Sequence, residues 1–67
     1  MYLRKDTNEG VIFHIIRNRS RIKVSELLLE AEKRNIDRKI SREVVRSLLG
    51  SGRVYQPMRG VLELVEY

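Results

Sequence analysis

The stretch from Asp37 to Gly52 limits the fold more than any other part of the sequence. Its apolar residues recur at helical spacing, the pattern stops at Gly50-Ser51-Gly52, and the chain beyond reads as strands. At roughly 100° per residue, with Lys39 set at zero, Ile40, Val44, Leu48 and Val45 fall between about 100° and 240°. Lys39, Arg42 and Arg46 then lie within a sector about 60° wide, nearly opposite. Such a helix has an apolar seam that must be covered and a basic outer stripe that need not be. Asp37 or Ser41 can cap its start by accepting from an orphan backbone N–H. The rest of the chain must supply the cover.

Two further helices precede it. Asp6-Thr7-Asn8-Glu9 reads as a capping-box variant with Asp6 at the N-cap. Val11, Ile12, Ile15 and Ile16 follow at helical spacing, which predicts a first helix over residues 7–18. A strand over Val11–Ile16 competes, because β-branched residues are indifferent helix formers, and Gly10 costs a helix roughly 1 kcal/mol against Ala. Arg19-Ser20-Arg21 breaks the pattern, and Ile22-Lys23-Val24 alternates as a very short strand. Ser25 suits an N-cap for the next helix, with Val24 and Leu29 as a hydrophobic staple. Over Glu26–Arg34, Leu27, Leu28, Leu29 and Ala31 form the apolar side, and Glu30 faces Arg34 as an i,i+4 pair. Asn35 suits the left-handed position that closes a helix, with Ile36 folding back as its apolar contact.

After the glycines, Arg53–Gln56 and Val61–Val65 are β-rich runs joined by Pro57-Met58-Arg59-Gly60, which reads as a hairpin turn. Leu62 and Leu64 share one strand face and should meet the helices. A lone hairpin does not stand in water, so its inner face should close the trihelical core, with Ile22–Val24 as a third strand. The order predicts a mostly α member of the α+β class: a winged helix-turn-helix with three helices, a small antiparallel sheet and a C-terminal hairpin wing. Residues 1–6 are expected to form a flexible N-terminus and 7–67 the winged-helix domain.

The stretch Val24-Ser25-Glu26-Leu27, Ile36-Asp37, Val44-Val45, Leu48-Leu49, Gly52-Arg53-Val54-Tyr55-Gln56-Pro57 and Gly60-Val61 resembles the C-terminal winged helix of archaeal minichromosome maintenance (MCM) replicative helicases. Many small winged helices share the glycine and the apolar strands; the Tyr-x-Pro…Gly wing narrows the field. The resemblance spans about residues 8–66. It implies a module of the DNA replication machinery that modulates an ATP-driven motor or contacts DNA, without hydrolysing ATP itself. In agreement, Gly50-Ser51-Gly52-Arg53 lacks the lysine and hydroxyl of a phosphate-binding loop.

Charge points the same way. The 67 residues carry 14 Lys+Arg against 9 Asp+Glu, a net +5 that favours a polyanionic partner. A chain this short buries only about 60% of the surface its unfolded form exposes. With no Cys there is no disulfide or thiolate metal site, and His14 alone holds no metal. No cofactor is expected. No apolar run reaches the roughly 18 residues needed to span a bilayer, and no signal peptide is evident, so the cytoplasm, in association with the nucleoid, is the expected location. No acid pair surrounds a pocket, so no catalytic residue is assigned and the chain alone is not expected to be an enzyme.

The candidate DNA contacts are Lys39, Arg42 and Arg46 on the third helix, with Arg38 as a backbone contact at its start. Arg59 at the wing and Arg19, Arg21 and Lys23 in the loop complete the set. For each cation the alternative is a solvated surface charge, and Glu43 partly cancels the helix stripe. Tyr55 could stack on a base but is placed to pack, and Phe13, Leu28 and Leu48 read as core. The expected partner is DNA, bound mostly through phosphates with little sequence preference by a monomer. One alternative is a protein-interaction module of the same machinery, using exposed Met58 and Leu49. Another is a stand-alone transcription regulator, which would be dimeric.

Overall fold

A computed structural model describes residues 7–65. The elements run α1 (Asn8–Arg19), β1 (Arg21–Lys23), α2 (Val24–Lys33), α3 (Arg38–Gly50), β2 (Val54–Met58) and β3 (Val61–Leu64). The strands form one antiparallel sheet in the order β1-β3-β2. This is the α+β layout of a winged helix: three helices packed on one another, with a small sheet closing the open side. Ile12, Ile16, Leu27, Leu48, Leu62 and Val54 are fully buried at the centre, so every helix and the hairpin contribute to one core. Leu62 and Leu64 turn toward the helices, as their alternation requires. No helix among the described residues is long and apolar enough to cross a membrane.

The helix ends explain how short loops suffice. Thr7, not Asp6, caps α1: its Oγ1 accepts from the Gly10 N–H at 2.9 Å. Asp6 and the expected flexible segment lie outside the described residues. Helix α1 runs as a helix through Val11–Ile16, so the competing strand is not formed. It ends at Ser20, whose φ of +65° turns the chain into β1.

Helix α2 starts two residues earlier than the Ser25 cap requires. Val24 is already helical, Lys23 holds the N-cap position, and no side chain bonds there. The Val24 N–H is engaged instead by the Gly60 carbonyl of the wing at 2.8 Å, so a tertiary bond replaces the local cap. The expected staple goes with it, since Val24 packs on the core while Leu29 is exposed.

Helices α2 and α3 end alike. Asn35 takes φ +62°, its N–H donates to Glu32 O at 2.9 Å, and the Ile36 N–H donates to Ala31 O at 3.0 Å. Gly52 takes φ +78°, its N–H donates to Leu49 O at 3.2 Å, and the Arg53 N–H donates to Leu48 O at 3.1 Å. Both are Schellman motifs, in which a left-handed residue closes the last turn upon itself. Ile36 is buried, as the apolar partner of such a motif should be.

The wing departs from expectation at Pro57. Met58 pairs with Val61 and Tyr55 with Glu63, so Gln56 and Pro57 together oppose Leu62 in an irregular step of β2. Proline lacks an N–H for the ladder, and a bulge in an edge strand accommodates it. The turn is therefore Arg59-Gly60 alone. Gly60 supplies the left-handed backbone with φ +78°, and its N–H donates to Gln56 Oε1 at 3.0 Å.

Candidate nucleic-acid interface

Helix α3 presents the candidate stripe through the way it is buried. Its covered residues are Ser41, Val45 and Leu48, with Val44 and Leu49 half-buried on either side. The seam is rotated slightly from the expected one: Ile40 is 38% exposed, and the small Ser41 takes the inner position. A serine there allows close approach of the neighbouring elements. The cost is a hydroxyl without a hydrogen-bond partner, since Ser41 Oγ is fully buried and unbonded. Leu49, expected to be exposed beside Met58, is half-buried against the core. Lys39, Arg42 and Arg46 all remain exposed on the outer side.

These residues are brought together. Asp37, Arg38, Lys39, Arg42, Glu43 and Arg46 line one shallow concavity along the outer face of α3. Asp37 caps the helix by accepting from the Lys39 N–H at 3.4 Å, a long bond. The helix starts with Arg38 and Lys39 rather than with acids, so its positive N-terminal end adds to the same field.

Ion pairing divides the predicted cations into two groups. Arg19 Nη2 donates to Glu26 Oε2 at 2.7 Å, Arg38 Nε donates to Glu32 Oε1 at 3.0 Å, and Arg21 Nε donates to Glu63 Oε1 at 2.7 Å. In contrast, the side chains of Lys23, Lys39, Arg42, Arg46 and Arg59 form no ion pair with a described residue. Of the loop cations, Arg19 and Arg21 are thus paired with acids from α2 and β3.

A network absent from the sequence reading crosses the outer face of the sheet. Arg21, Glu63 and Tyr55 stand side by side on β1, β3 and β2, because each is the register partner of the next. The Tyr55 hydroxyl donates to Glu63 Oε2 and Arg21 to Oε1, so both oxygens are engaged. The Tyr55 hydrogen bond, reinforced by the Arg21 guanidinium, holds the Glu63 carboxyl below its ordinary pKa. The same bond to a carboxylate raises the Tyr55 phenol. Tyr55 is therefore not packed in the core. It is exposed, with its hydroxyl committed.

Beside this network Arg19, Arg21, Ile22, Lys23, Glu26, Met58 and Val61 line a second shallow groove, with Met58 56% exposed. His14 is half-buried in α1. Among the described residues no three His, Asp or Glu side chains are grouped to hold a metal ion. No protein-family model, curated protein or solved structure matches the chain.

Proposed function

We propose that the chain is a winged-helix module that binds duplex DNA, with the outer face of α3 as its principal contact. What supports the reading is the division of the cations. Arg19, Arg21 and Arg38 are each paired with a carboxylate, whereas Lys39, Arg42 and Arg46 are left together, exposed and without an ion pair to any described residue, on one helix face. A major groove accepts a single α-helix, and arginine matches phosphate oxygens or guanine O6/N7. Arg59 at the turn of the wing and Lys23 are the further phosphate contacts. Arg19, Arg21 and Arg38 would first have to give up a carboxylate, so they contribute less. The replication setting, beside an ATP-driven helicase, follows from the resemblance of the Tyr55-Gln56-Pro57…Gly60 segment to the MCM winged helix and from nothing else.

Amide shift mapping tests the assignment. Addition of duplex DNA at low salt should move the resonances of residues 38–46 and 57–60 and leave the outer residues of α2 unmoved. Silence over 38–46 would reject duplex binding through α3. It would favour a protein-interaction module instead, for which exposed Met58 beside Val61 and Lys23 is the supporting observation.

A further inference from the structure

The buried seam of α3 fixes which of its residues would point deepest into a groove, and that residue is an acid. Taking Lys39 as zero again, Ser41, Val45 and Leu48 centre near about 205°, so the outward direction is near about 25°. Glu43 lies about 15° from that direction and Lys39 about 25°, while Arg46 and Arg42 are displaced by about 45° and about 85° to one side. Arg42 and Arg46 therefore suit the phosphates along one wall, and Glu43 faces the floor. Glu43 is exposed and makes no ion pair among the described residues, although Lys39 lies four residues before it and Arg46 three after. Its carboxylate is open to an external donor.

A carboxylate among phosphates repels, and a base edge that donates a hydrogen bond to it offsets that cost. In the major groove the exposed donors are the amino groups of cytosine (N4) and adenine (N6), and adenine places the acceptor N7 beside its amino group. Guanine and thymine offer oxygen acceptors at that depth, and thymine adds a methyl group. In that groove only cytosine presents a donor with no acceptor on the same base.

We infer that Glu43 is a specificity-determining residue that selects a cytosine in the duplex by accepting a hydrogen bond from its N4 amino group. The inference rests on the proposed docking of α3, and it replaces the sequence-neutral binding expected from the cations with a preference at one base pair.

Selection from a randomised duplex pool, followed by titration of the enriched duplex and its single-base variants at one salt concentration, tests it. The wild type should enrich cytosine at one position, and changing that cytosine to thymine should weaken binding about tenfold. Glu43→Gln should move the preference at that position to adenine, since a glutamine amide matches N6 and N7 together. Glu43→Ala should erase the preference by raising affinity for the duplexes that lack the cytosine and not for the enriched duplex. If the wild type enriches nothing and both variants strengthen binding equally on every duplex, Glu43 is only a like-charge brake and the inference is overturned with α3 docking intact. If the wild type binds no duplex at all, the docking and the inference fall together.

Discussion

Helices α2 and α3 turn similar numbers of charges outward but dispose of them in opposite ways. On α2 every carboxylate is engaged: Glu26 by Arg19, Glu30 by both Lys33 and Arg34, and Glu32 by Arg38. On α3, Glu43 and the three stripe cations are engaged by nothing described. Spacing accounts for part of the contrast. Glu30 has its arginine at i+4, the favourable orientation, and the bond forms at 3.2 Å. Glu43 has Ser47 at i+4, and its lysine lies at i−4, in the weaker orientation. A surface ion pair contributes little to stability, so the difference hardly affects folding. It matters for what the surface can bind, because α2 presents a compensated face and α3 a field.

The largest expected effect separates the two faces directly. Arg42→Ala with Arg46→Ala should weaken duplex binding roughly 10- to 100-fold at low salt and reduce the slope of log K against log salt by about 2. Lys33→Ala with Arg34→Ala removes the same formal charge from the compensated face and should change binding less than about threefold. Fluorescence anisotropy over a salt series reads both, and circular dichroism checks that each variant is folded. Equal losses from the two double variants would mean that net charge, not the α3 face, drives binding.

Next in size are the residues that set the two helices against each other. Asn35 holds a left-handed backbone between them, where alanine is strained, so Asn35→Ala should destabilise by about 1 kcal/mol and Asn35→Gly should not. Ser41→Ala removes a buried hydroxyl that bonds to nothing and should leave stability unchanged or raise it by up to about 1 kcal/mol. Ser41→Leu should cost about 1–3 kcal/mol, because the position admits only a small side chain. Chemical denaturation measures all four. A marked loss in Ser41→Ala would show that the hydroxyl is engaged.

What was legible in the sequence follows the range of the interaction responsible. Local signals were readable: the helical spacing of three segments, Asn35 with Ile36 as a helix end, the Gly50-Ser51-Gly52 stop, and the i,i+4 pair of Glu30 with Arg34. Features set by distant partners were not. Ser25 looks like a cap, but the wing carbonyl of Gly60 satisfies the first amide of α2 and lets the helix begin at Val24. The Arg21–Glu63–Tyr55 network depends on the bulge. Regular pairing outward from Met58 and Val61 would set Tyr55 against Leu64 and turn it inward. The extra residue at Gln56-Pro57 sets it against Glu63 and sends Val54 into the core instead. For the candidate site, the exposed stripe was visible as helical spacing. The neutralisation of Arg19, Arg21 and Arg38 was not, because their partners lie 6 to 42 residues away in sequence.

The smallest expected effect comes from opening the compensated side with acid. Hydrogen bonds from Arg34 and then Lys33 lower the Glu30 carboxyl from its ordinary pKa of 4.5, and Tyr55 and Arg21 do the same for Glu63. A carboxyl depressed in the folded state binds its proton more readily when unfolded, so its contribution is complete above the unfolded pKa. That contribution is lost as pH falls below about 4.5 and through the lower folded value. Both groups lie at the surface, where solvent screens the interaction, so the change should be modest. Glu30→Gln and Glu63→Gln should therefore unfold at slightly lower temperature than the wild type near neutral pH, with the gap closing as the wild type is acidified through this window. A gap of constant size down to about pH 3 would mean that neither carboxylate gains from its partners on folding.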